Sequence, residues 1–182
     1  MTWVQTSLLA VTGVALAISL VTDLRSRKIL NVVTYPAILI GLAVHGIAWH
    51  WSAGPGYGLK WSLIGLAVGA GPLLLINLFN PKAFGLGDVK LLAAVGALMG
   101  WPFIFWDLAF VGVAGGLVAV VALLWTGRTR ETLGRMFGKL FRRRRPEAEA
   151  GEKPEKKDLY VPYGVAIAFG TLWAFLYLRG VV

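Results

Sequence analysis

Apolar residues run through this chain in long blocks. Six blocks approach or reach the roughly 20 residues a helix needs to cross a bilayer. They are Trp3–Thr22, Val32–Trp49, Trp61–Leu78, Val89–Phe105, Leu108–Trp125 and Tyr160–Leu178. Lipid offers no partner to a backbone N–H or C=O, so each block predicts an α-helix that satisfies its own backbone. The fourth and fifth blocks are parted only by Trp106-Asp107, with Gly100-Trp101-Pro102 as an earlier alternative turn. The pattern predicts an all-α polytopic membrane protein of six transmembrane helices, folded as a single domain over residues 1–182. Gly65, Gly69, Gly112, Gly115 and Gly116 stud the third and fifth blocks. Small residues let helix backbones pack closely, and packing is the role expected for them.

The polar positions orient these helices. Arg25, Arg27 and Lys28 follow the first block, Lys82 and Lys90 lie around the start of the fourth, and eleven of the eighteen basic residues fall between Gly127 and Leu159. Only Lys60 and Arg179 fall on the other side. Basic loops stay in the cytoplasm, so both termini are expected outside. The first block lacks the basic flank of a signal peptide and reads as a retained helix. Within the 127–159 segment, Leu133, Met136, Phe137, Leu140 and Phe141 recur at helical spacing among arginines and lysines. That predicts a basic amphipathic helix on the anionic inner leaflet. The rest, Pro146 to Asp158, is charged and proline-containing and reads as a disordered linker. Seven tryptophans at span ends, Trp3, Trp49, Trp51, Trp61, Trp101, Trp106 and Trp125, read as an interfacial belt.

Composition agrees with this picture: 57% of residues are hydrophobic and the mean hydropathy is +0.70. The +9 charge is accounted for by topology and does not call for nucleic acid. There is no cysteine, so disulfides and thiolate metal sites are excluded. The two histidines, His45 and His50, are expected at the outer interface, and no metal or cofactor is called for.

The acidic residues narrow the chemistry. Six of nine lie in the 127–159 segment, leaving Asp23, Asp88 and Asp107 near the membrane. Asp107 is expected in the exposed turn between the fourth and fifth helices, where Asp is ordinary. Asp23 and Asp88 fall on one side of the bilayer. Taken singly, Asp88 reads as a helix N-cap and Asp23 as a boundary marker. Asp23 fits poorly even so, because a carboxylate at a helix C-terminus opposes the dipole. As a pair, they form a candidate catalytic dyad. Two close carboxyls share a proton, so one can activate a water while the other donates to a carbonyl oxygen. The same pair would also suit a proton-coupled transporter or channel subunit. Gly85 and Gly87 precede Asp88 and are expected to give the backbone freedom and leave room for an extended substrate. Lys90 is read as a lipid-phosphate contact, and Asn31 as the residue that fixes the turn after the first helix.

Three stretches, in order, resemble the type IV prepilin peptidases. Gly85-Leu86-Gly87-Asp88 matches the Gly-x-Gly-Asp motif of membrane-embedded aspartic proteases. Asp23-Leu24-Arg25-Ser26-Arg27-Lys28-Ile29-Leu30-Asn31 is similar to that family's first-aspartate region, with Leu30 where proline is usual. Val161-Pro162-Tyr163-Gly164 resembles a Pro-Tyr-Gly found before the last helix of its members. Larger members carry a four-cysteine cytoplasmic domain and also methylate the new N-terminus with S-adenosylmethionine. A chain without cysteine resembles the short branch that serves Tad/Flp-type or related archaeal filaments. The resemblance implies a Gly-x-Gly-Asp protease fold in the inner membrane with Asp23 and Asp88 catalytic. The implied substrate is a prepilin with a short basic leader and an apolar helix, cut after a glycine at the cytoplasmic face.

Overall fold

A computed structural model of the protein describes residues 3–49, 57–80, 84–125 and 163–181. Among them are six helices: α1 (Trp3–Ser26), α2 (Asn31–Trp49), α3 (Leu59–Phe79), α4 (Leu86–Met99), α5 (Phe103–Trp125) and α6 (Tyr163–Val181). Four of these, α1, α2, α3 and α5, are long and apolar enough to cross a membrane. Their outer faces carry exposed Val14, Leu39, Leu75 and Val113, side chains that suit lipid rather than water. The all-α membrane architecture expected from the hydropathy pattern is therefore present. The 127–159 segment, with both its amphipathic and charged parts, lies outside the described residues, as do His50, Trp51, Lys82 and Val161-Pro162. The chain divides into two compact units, Met1–Gly115 with Pro162–Val182, and Gly116–Val161. Of the second, only the last turns of α5 are described.

The first unit is built around α4, which packs against α1, α2, α3 and α6. Every residue from Leu91 to Leu98 is buried. Small residues make this crowding feasible. At Gly65 and Gly96, α3 and α4 meet backbone to backbone, and a Cβ on either glycine would strike the other's carbonyl oxygen. A Cβ on Gly41 of α2 would stand 2.7 Å from the carbonyl of Ala97. Ser62 also donates to the Ala97 carbonyl, at 2.6 Å. Close backbone approach with a few side-chain hydrogen bonds is how helices associate where lipid competes for apolar contacts. Gly69 packs in the same way against Leu92, and Gly115 against the ring of Tyr163. Gly112 and Gly116 do not: both lie on the exposed face of α5, with open space where a side chain would be.

The break between α4 and α5 falls at Gly100-Trp101-Pro102 and not at Trp106-Asp107. Gly100 takes φ 68°, a left-handed conformation that costs glycine little, and its N–H closes α4 on the Gly96 carbonyl at 2.8 Å. Trp101 N–H then donates to the Trp61 carbonyl at 3.3 Å. This is the alternative that Gly100-Trp101-Pro102 offers in the sequence; hydropathy alone does not favour it, because Trp101, Phe103 and Ile104 keep the apolar run unbroken. Asp107 consequently lies inside α5, fully buried, rather than in an exposed turn. Thr171 of α6 lies beside it, but the Thr171 hydroxyl donates to Ile167 O at 2.8 Å. Neither carboxyl oxygen of Asp107 has a hydrogen-bond partner among the described residues. His45 is likewise buried, not interfacial. Its Nε2 lies 3.1 Å from Leu98 O, and Gly58 N–H donates to its Nδ1 at 3.3 Å. One imidazole thereby ties α2 to α4 and to the start of α3.

Candidate active site

Asp23 occupies the last turn of α1, where its charge opposes its own helix dipole. A second helix compensates. The first turn of α6 points at it, and Gly164 N–H donates to Asp23 Oδ2 at 3.0 Å. A Cβ at Gly164 would stand 2.7 Å from that oxygen, so this approach requires glycine. α1 ends just beyond, with Arg27 at φ 53° and its N–H on the Asp23 carbonyl at 2.9 Å. Asp23 is 4% exposed.

Asp88 lies in the first turn of α4. Gly85 is the N-cap, extended at φ −66° and ψ 137°, and has no side chain with which to cap the helix. Asp88 supplies the missing cap by reaching back to the Gly85 backbone, as the acidic partner of a capping box does. It is half-buried, and it lies near enough to Asp23 for their charges to act on each other. Two acids far apart in sequence are thus brought to one end of the bundle, each addressed by a helix N-terminus. Such termini carry partial positive charge and unsatisfied N–H groups.

The motif glycines behave differently from expectation. Neither adopts a positive φ. A Cβ at Gly85 would stand 3.0 Å from Asp88 Oδ2, so this glycine makes room for the acid itself. At Gly87 a Cβ would come within 2.9 Å of Ile29 Cβ. The space beside Gly87 is filled by the loop after α1, which docks the Asp23 region onto the Asp88 helix. Lys90 and Asn31 also meet each other: Lys90 Nζ donates to Asn31 Oδ1 at 3.0 Å and lies 5.2 Å from the centre of the Tyr35 ring. Asn31 therefore ties α2 to α4 rather than bonding locally, and Lys90 is engaged with protein groups.

Two further residues complete the frame. Asn77, near the end of α3, clasps the chain just before the motif: its amide donates to Phe84 O at 3.1 Å and its Oδ1 accepts from Phe84 N–H at 3.0 Å. A lone amide inside Leu-Leu-Leu-Ile-Asn-Leu-Phe is the sequence signal that finds it, since an unpaired amide in lipid is costly. Tyr163 packs edge-on against Phe84, with ring centres 5.1 Å apart. Among the described residues no group of three His, Cys, Asp or Glu side chains comes together.

The model of the type IV leader peptidase family matches residues 10–130. The chain belongs to that family. The match runs from the first half of α1 through α5 and includes both acids. Membership makes this a membrane peptidase with a type IV leader peptidase-like function, acting on substrates of the prepilin type. No curated protein and no solved structure matches the chain.

Proposed function

We propose that this type IV leader peptidase is an intramembrane aspartic endopeptidase in which Asp23 and Asp88 share one proton. One carboxylate takes a proton from water as the water oxygen attacks the scissile carbonyl carbon. The other carboxyl, protonated, donates to the carbonyl oxygen, and the amine leaves with a proton when the C–N bond breaks. The substrate is a Tad/Flp-type prepilin, cut after a glycine between its basic leader and its apolar helix. The observation that carries this reading is the convergence of α1, α4 and α6. It leaves Asp88 within reach of the Asp23 charge and Asp23 held by the Gly164 amide. A proton relay would not call for a helix N-terminus aimed at one acid and a second acid capping its own helix. Gly85 is exposed, and its extended backbone offers a site for a substrate strand. Gly87 is filled by Ile29 and does not.

In this reading the acids face the cytoplasm from the inner membrane, with both termini outside, as the distribution of basic residues requires. The basic amphipathic first part of the 127–159 segment contributes membrane-surface attachment, and Pro146 to Asp158 serves as a linker. The test is co-expression with prepilins from the same genome, scored for leader removal by mass. Loss of the leader up to a glycine, dependent on both acids, is expected. Intact leaders across all candidates would overturn the assignment.

A further inference from the structure

The first turn of α6 presents more than the Gly164 amide. Tyr163, its immediate neighbour, has a half-buried side chain held by packing of its ring. One face of that contact is Phe84, edge-on at 5.1 Å and 64°, in the segment that leads into Gly85-Leu86-Gly87-Asp88. The other is Gly115 of α5. A Cβ there would stand 2.8 Å from Tyr163 Cε2 and 3.4 Å from the phenol oxygen, so α5 leaves a slot for the ring. The hydroxyl lies over Gly115 and has no hydrogen bond among the described residues. A phenol out of bulk water ordinarily finds a partner. This one lies within electrostatic reach of Asp88, while the next residue donates its N–H to Asp23. Two consecutive residues in the first turn of α6 thus lie close to the acids, Gly164 through its N–H on Asp23 and Tyr163 within electrostatic reach of Asp88.

We propose that the Tyr163 hydroxyl donates a hydrogen bond to the carbonyl oxygen of the scissile peptide as that oxygen takes on negative charge. The inference rests on the peptidase reading of Asp23 and Asp88. Water adds to the carbonyl carbon and its proton passes to the ionised carboxyl. The carbonyl π pair moves onto oxygen, which receives the proton of the other carboxyl and the hydrogen bond of Tyr163. The phenol keeps its own proton throughout. A donor fixed by packing before substrate arrives needs no reorganisation at the moment of reaction, which is the condition for effective stabilisation of developing charge.

Tyr163→Phe separates the hydroxyl from the ring, because Phe keeps the contacts with Phe84 and Gly115. The assay uses the full chain in lipid nanodiscs and a prepilin that the co-expression experiment has shown to be cut. We expect kcat to fall by about 10²-fold, in the range of a lost oxyanion donor. KM should stay within about twofold, since the bond strengthens only in the transition state. Affinity for a peptide bearing a hydroxylated tetrahedral carbon at the cleavage position should fall with kcat. Unchanged kcat and inhibitor affinity would overturn the proposal, as would a rise in KM alone. Asp23→Asn and Asp88→Asn run beside it as separate readings. If either still cleaves, the two-acid mechanism fails. If both are dead while Tyr163→Phe is fully active, only the role of Tyr163 fails.

Discussion

Asp23 and Asp107 are both acids withdrawn from water, at 4% and 0% exposure, yet their surroundings have little in common. Asp23 receives the N–H of Gly164 from a helix that points at it and lies near a second acid, Asp88. Asp107 lies in the middle of packed helices beside a Thr171 hydroxyl already bonded to its own backbone, and neither of its oxygens is partnered among the described residues. Depth of burial is therefore not what distinguishes a site here. What distinguishes the candidate site is that several elements give up local comfort to address one point: α1 ends on an acid against its own dipole, α4 has a glycine N-cap and is capped by an acid, and α6 carries in its first turn a glycine whose place beside Asp23 a Cβ could not take. No such concessions surround Asp107.

The largest effect should come from removing titration while keeping shape. Asp23→Asn and Asp88→Asn are each expected to lower cleavage by about 10²- to 10⁴-fold, the range of general acid–base catalysis. Membrane abundance should be retained, read by gel-filtration profile in detergent. Wild-type turnover in either variant would erase the contrast between the two acids. Next in size is Gly164→Ala. The added methyl would stand 2.7 Å from Asp23 Oδ2, and neither a carboxylate nor a helix backbone can yield that much without displacing the bond between them. A loss of activity exceeding that of Gly112→Ala is expected, because Gly112 has open space around it. Equal activity in the two glycine variants would mean that the N-terminus of α6 does not position Asp23.

Much of this was legible before the fold was known. Six apolar blocks foretell six helices because lipid allows the backbone no other course. Asp23 and Asp88 stand out because carboxylates near membrane depth need a reason. The remainder was hidden for physical reasons. Gly100-Trp101-Pro102 is legible as an alternative turn, but the apolar run continues through Phe103 and Ile104 and favours the later break, so hydropathy places Asp107 outside a helix that in fact contains it. Gly87 looks like a flexible position in sequence, but its significance is the contact with Ile29, which no local pattern records. Asn77 and Tyr163 enter the site through partners distant in the chain or through packing geometry. Long-range contacts of that kind leave only a faint mark, such as one amide among leucines.

A smaller effect is expected at the Asn31–Lys90 contact. The pair is exposed and bridges α2 to α4 at 3.0 Å. Exposed polar contacts of this type contribute about 0–1 kcal/mol. Asn31→Ala should therefore lower the unfolding midpoint slightly and leave kcat within about threefold of wild type. A loss comparable to that of Asp88→Asn would place Asn31 in the catalytic machinery instead of beside it.

The smallest effect on activity, and the one that tests the comparison most directly, is expected at Asp107. Leucine is apolar, close in shape to aspartate, and at home in a helix between apolar neighbours. Replacing a buried polar group that lacks partners with an apolar one removes an unsatisfied group and relieves about 1–3 kcal/mol of desolvation. Asp107→Leu should accordingly unfold at a higher temperature in detergent while cleaving its prepilin at the wild-type rate. Thr171 loses nothing, because its hydroxyl remains on Ile167 O. The extra methyl volume is the one opposing term, and Asp107→Ala controls for it by leaving a small cavity in place of a clash. If both variants fold and both are inactive, Asp107 takes part in function. Burial without partners would then mark a working acid in this protein, and the line drawn between Asp23 and Asp107 would be in the wrong place.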